Sequence, residues 1–147
     1  MSRWRASGQD RTDSAATLLV LISAAAVAIV SARGYAGGWN DGSRLAAVES
    51  LVDYHTLAID RSIFVQVPPR TDAAAPGPYP IDEPTLYRHG TQDRLFIRGR
   101  FYSDKPPVSA LLMAGLYQSL QWVTGLKARE SPRLFCYLMT QDRKSVV

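Results

Sequence analysis

Cysteine is almost missing from this chain: Cys136 is the only one in 147 residues. That excludes an intrachain disulfide and any metal cluster built on several thiolates. Histidine is nearly as scarce. His55 and His89 have no ligand spacing to each other or to the cysteine, so both read as structural or surface residues, with no metal site. There is no Gly-rich phosphate loop and no Gly-x-Ser-x-Gly turn, which removes the usual nucleotide-binding and hydrolase signatures. No repeat and no low-complexity tract is present. The length allows one domain, or part of one, and leaves no room for a two-domain enzyme.

Charge is lacking only in places. At 46% hydrophobic and 20% charged residues, the average composition is that of an ordinary globular protein. Yet residues 14–32 and 106–126 carry no charged side chain at all. The net charge of +4 and a pI near 9.5 suggest nucleic acid at first sight. Residues 34–105, however, hold eight Lys/Arg against nine Asp/Glu, so the excess lies beside the apolar stretches, as in membrane proteins. Nucleic acid is therefore not an expected partner; membrane lipid is.

Nineteen residues, 14–32, give a helix of roughly 28 Å, just enough for a hydrocarbon core of about 30 Å. Its polar residues are Ser14, Thr17, Ser23 and Ser31, too few for the polar stripe of a soluble helix. A cleaved secretory signal is the rival reading, with Arg3, Arg5 and Arg11 as its basic start and Val30-Ser31-Ala32 as its cleavage site. The second stretch opens on Pro106-Pro107 and contains Gln118 and Gln121, costly in lipid unless they face other helices. Its small residues Ser109, Ala110, Ala114 and Gly115 would allow close helix packing. A buried helix of a soluble domain is the alternative for this stretch.

Arg3, Arg5 and Arg11 precede the first stretch, and Lys127, Arg129 and Arg133 follow the second, which places both flanks in the cytoplasm. The expected layout is a cytoplasmic segment 1–13, a span 14–33, an outward loop 34–105, a second span 106–126, a cytoplasmic loop 127–133, and the start of a third span at 134–141. The expected fold is mainly α and integral to a plasma or bacterial inner membrane.

Within the loop, Asn40-Asp41-Gly42-Ser43 offers side-chain oxygens for a helix start. Leu45, Val48, Leu51 and Val52 recur at helical spacing, with Arg44, Glu49 and Asp53 off that line, which predicts an amphipathic helix lying along the membrane surface. Residues 68–80 hold five of the nine prolines and predict irregular connection. Leu95-Phe96-Ile97 and Arg100-Phe101-Tyr102 flank Arg98-Gly99, a small β-hairpin that should pack on the 41–54 helix to be stable. Asp41 equally fits a helix cap, Arg44 a surface pair with it, and Tyr102 and Lys105 headgroup anchors.

Three stretches carry a resemblance. Asn40-Asp41-Gly42-Ser43-Arg44-Leu45-Ala46, then Asp60, then Phe101-Tyr102-Ser103-Asp104-Lys105-Pro106-Pro107 resemble, in order and spacing, the polytopic GT-C membrane glycosyltransferases of bacteria. These include relatives of protein O-mannosyltransferases and of the transferase that adds aminoarabinose to lipid A. The likeness covers about residues 15–140 and is most specific at Tyr102–Pro107. It implies sugar transfer from a polyprenyl-phosphate donor on the outer face, with Asp41 as general base. It also implies that Lys105, with Arg44, Tyr102 and Asp104, lies on the substrate side near the lipid phosphate. Cofactors are left unassigned, a divalent cation being compatible with the family. The family's frequent Asp-Glu is here Asp41-Gly42, so Asp53 and Asp60 stay as stand-in acids.

Two other classes remain: a non-catalytic two-span interaction protein, and a secreted domain released from a signal peptide. The apolar run 134–140 is short of the roughly 20 residues that span a bilayer. Residues 142–147, Asp-Arg-Lys-Ser-Val-Val, resemble one reading frame of a sequencing-library adapter. The chain is therefore expected to be a fragment, inactive on its own.

Overall fold

The computed structural model describes residues 6–69 and 77–140. The Pro-rich connection is covered only in part, and the hexapeptide 142–147 lies outside the described residues. The described chain is mainly helical with one small two-stranded antiparallel sheet. It divides into an N-terminal unit and a folded body over residues 33–140.

The N-terminal unit is represented by α1 (Ala6–Ser31). Half of the expected cytoplasmic segment 1–13 is therefore already helical. Over Ser14–Ser31 the mean hydropathy is 2.3 and none of the window is buried. Among the described residues this is the one helix long and apolar enough to cross a membrane. Leu18, Leu19, Val20, Leu21 and Ile22 follow one another in exposed positions, so no face is reserved for water.

The body is built on α2 (Trp39–Asp53), followed by α3 (Pro84–His89), β1 (Arg94–Ile97), β2 (Arg100–Ser103), α4 (Pro107–Thr124) and α5 (Pro132–Met139). Leu45, Val48 and Val52 form the expected apolar line of α2, but Ser43, Ala46, Ala47, Glu49 and Ser50 are buried too. The helix expected to lie on the membrane surface is instead the central helix of the body. Its other faces carry small side chains, so neighbouring elements can close on them. Around it gather Ile59, Ile63, Phe64, Tyr79, Tyr117, Phe135 and Met139. Phe64 meets Tyr79 edge-on at 5.9 Å and Phe135 at 6.0 Å, contacts that add to their area burial.

The hairpin forms as expected. Arg98 and Gly99 have φ of 50° and 82°, both positive as a two-residue type I′ turn requires. Leu95 stands opposite Tyr102 and Phe96 opposite Phe101. A lone hairpin is marginal in water, and this one is pinned at its base. The Ile59 N–H donates to the Phe101 carbonyl at 2.8 Å, the Phe101 N–H donates to Asp60 Oδ1 at 3.1 Å, and Ala58 bridges to Tyr102.

The second expected span is where the structure departs most. Residues 107–124 are helical, with Pro107 in the first turn and Gly125 at φ 70° ending it, as glycine does after a helix. α4 packs along α2, and Ala110, Ala114 and Tyr117 are its buried residues; Ser109 and Gly115 are exposed. The Tyr117 hydroxyl donates to Asp53 Oδ2 at 3.0 Å and Gln121 Nε2 donates to Asp53 Oδ1 at 2.8 Å. The same Tyr117 oxygen accepts the Ala128 N–H at 2.8 Å, and its ring meets Phe135 at 4.7 Å. Asp53 belongs to the loop expected outside; Ala128 and Phe135 belong to segments expected inside or returning. They share one core. A two-span layout is thus not confirmed, because the polar edge of α4 is satisfied by a partner from the body itself.

Candidate functional site

The three stretches of the motif, far apart in sequence, meet around the start of α2. Gly38 precedes the helix in extended backbone and offers no side chain, so the expected Asn40-Asp41 cap is displaced into the first turn. There Asp41 Oδ2 reaches back and accepts the Gly37 N–H at 3.2 Å. A carboxylate in the first turn is favoured by the helix dipole and by the free N–H groups there. Asp41 is half-buried.

Two residues on, Ser43 is fully buried and faces the end of the hairpin. Its Oγ lies 2.7 Å from Ser103 Oγ and donates to Asp104 Oδ1 at 3.3 Å. Ser103 Oγ in turn accepts the Lys105 N–H at 3.2 Å. These bonds fix the segment 103–105 on α2. The Lys105 ammonium then closes on two carboxylates, Asp93 Oδ2 and Asp104 Oδ2, each at 3.0 Å. Partial burial works against its charge, but the hydrogen bonds and charges of Asp93 and Asp104 outweigh that and hold its pKa above the ordinary lysine value. The triad carries a formal net charge of −1.

Of the residues singled out by sequence, Asp104 and Lys105 come together beside Ser43, while Arg44 is exposed. Tyr102 sits half-buried in the strand ladder and bridges to Ala58. Among the described residues, Asp41 forms no ion pair with Arg44 or Lys105. The stand-in acids are engaged elsewhere: Asp53 by Tyr117 and Gln121, Asp60 by the Phe101 N–H. Gly42 has a steric reason to lack a side chain. A Cβ there would run into the Tyr79 hydroxyl and press on Thr91.

Sequence reasoning missed Ser43, Ser103, Asp93 and Glu49. No spacing rule pointed from Lys105 back to Asp93. Glu49 is fully buried and accepts Ser62 Oγ at 2.6 Å and the Ile63 N–H at 3.0 Å. Burial pushes its pKa up to about 7 in spite of those bonds. No group of three or more His, Cys, Asp or Glu converges among the described residues; Asp93 and Asp104 converge on an ammonium instead. A cleft of about 620 Å³ opens at the opposite end of α2, lined by Asp53, Tyr54, His55, Gln121, Trp122 and Lys127 among others, with Asp53 already bonded. Compared with known proteins, the chain matches no family model, no curated sequence and no solved structure.

Proposed function

We propose that the chain carries the acid–base and phosphate-facing part of a membrane glycosyltransferase acting on a polyprenyl-phosphate sugar. The observation that carries this reading is the convergence of its motif: Ser43 of the first stretch bonds to Ser103 and Asp104 of the last, and Asp60 bonds to Phe101. Asp41 takes a proton from the acceptor hydroxyl or amine. The acceptor attacks the anomeric carbon, the bond from that carbon to the phosphate oxygen breaks, and the stereocentre inverts. Lys105 and Arg44 steady the charge left on the polyprenyl phosphate. Nearby, Asp93 and Asp104 keep Lys105 charged and in place.

Donor binding tests the reading directly. Lys105→Ala should weaken binding of a polyprenyl phosphate in detergent micelles by about 10-fold or more, the worth of one charge-assisted hydrogen bond. Lys105→Arg should lose much less, since charge is the main requirement. Equal binding by wild type and Lys105→Ala would reduce Lys105 to a structural tie between Asp93 and Asp104.

In this reading the whole body, residues 33–140, stands on the outer side of the membrane, with α1 as its anchor. Cys136 is fully buried, so introduced thiols can be read without background. Gln92→Cys and Glu130→Cys should both react with a membrane-impermeant maleimide added to intact cells. Reaction at position 92 alone would restore α4 as a span. A second reading, a membrane-tethered domain without catalysis, is favoured by the self-contained core of the body; it predicts the same labelling but no donor binding.

A further inference from the structure

The hairpin breaks the rule that a packed strand hides alternate side chains. Leu95, Phe96 and Ile97 are consecutive, yet exposed by 50%, 66% and 49%. Both faces of β1 are open at its tip. The base is held by Ile59, Asp60 and Ala58, as described above, so the tip is presented rather than loose.

Its charge is one-sided. Residues 94–103 contain Arg94, Arg98 and Arg100 and no acid. Arg94 is turned over the Phe101 ring at 4.1 Å, while Arg98 and Arg100 are exposed and make no ion pair among the described residues. Arg98 also occupies a left-handed turn position, φ 50°, where asparagine or glycine is the low-strain choice. A bulky cation kept in a costly conformation, at the apex of an apolar tip, is an outlier of the kind found at functional contacts.

We propose that this tip docks onto an anionic phospholipid bilayer, with Phe96 and Ile97 in the acyl boundary and Arg98 and Arg100 on phosphate headgroups. Entering by its tip, the hairpin puts Phe96 and Ile97 into hydrocarbon, while the long side chains of Arg98 and Arg100 reach back to the phosphates. The apolar helix α1 gives a bilayer reason to be at hand. The docking goes beyond sugar transfer and involves neither Asp41 nor Lys105.

The test uses the full chain in lipid nanodiscs, with an environment-sensitive NBD probe on Ile97→Cys and, as control, on exposed Gln92→Cys. Quenching by acyl-chain doxyl lipids should be at least about two-fold stronger at 97 than at 92 in phosphatidylglycerol discs, and weaker in phosphatidylcholine alone. Arg98→Asn and Arg100→Gln should bring position 97 down to the control, while Arg98→Asn keeps or raises the melting temperature. A merely structural arginine would give the stability result without the lipid result. A probe on Phe96→Cys guards against a local defect at 97. Equal lipid quenching at 97 and 92, or quenching indifferent to phosphatidylglycerol and to both arginines, would overturn the proposal. So would a probe hidden from aqueous iodide but not quenched by lipid, which would mean that protein covers the tip.

Discussion

Under the proposed function, Asp41→Asn should slow sugar transfer by at least about 100-fold, the scale of general-base assistance. The substitution keeps side-chain volume, and its Oδ1 can still accept the Gly37 N–H that Asp41 holds at 3.2 Å. Folding should therefore survive while proton abstraction does not. Asp53→Asn and Asp60→Asn should behave in the opposite sense. Each weakens bonds that tie elements together, Asp53 to Tyr117 and Gln121 and Asp60 to the hairpin base, so melting temperature falls more than chemistry. A transfer assay with a labelled polyprenyl-phosphate sugar, run beside thermal unfolding, separates the two patterns. Near-normal transfer by Asp41→Asn would place the base elsewhere.

Stability should fall as pH rises from about 4.5 to 7, the reverse of the usual behaviour of a carboxylate-rich protein. Glu49 is the cause. Its folded-state pKa is about 7 against an ordinary 4.5, so the folded chain keeps a proton that the unfolded chain has already released. The native state binds more protons across that window, and linkage then makes stability decline with pH. A shift of this size corresponds to about 3 kcal/mol at most, or roughly 10 °C in melting temperature for a domain of this length. Glu49→Gln should flatten the slope, because the amide oxygen still accepts Ser62 and Ile63 and nothing titrates. Melting curves of the detergent-solubilised chain across that range provide the check. An identical slope in Glu49→Gln would assign the effect to other groups.

Some of this architecture was legible in the residues. The hairpin could be read because Arg98-Gly99 separates two apolar and aromatic triplets, and the turn chemistry is local. The α2 periodicity was equally plain in Leu45, Val48 and Val52. Its surroundings were not. Glu49 looks like a surface residue because its partners, Ser62 and the Ile63 N–H, come from a loop without any periodic pattern. α4 shows the same limit more sharply. Gln118 and Gln121 told that this helix needed polar partners, but no rule of spacing points from Gln121 to Asp53, 68 positions earlier. Membrane hydropathy and a half-buried helix look alike until that partner is found. The site divides in the same way: Asp41, Asp104 and Lys105 were visible as motif residues. Ser43 and Ser103 stand in the same stretches, but nothing in a single sequence says that their hydroxyls meet.

Gly42 has an evolutionary consequence. A Cβ at this position meets the Tyr79 hydroxyl, and Tyr79 cannot swing aside, being buried and donating to the Phe64 carbonyl at 2.7 Å. Any side chain at position 42 is thus closed as a single step. Tyr79 must shorten first, which leaves the Phe64 carbonyl supported only by the Thr91 N–H at 2.8 Å. Positions 42 and 79 are therefore coupled: a side chain at 42 becomes tolerable only in a background where Tyr79 has already been shortened.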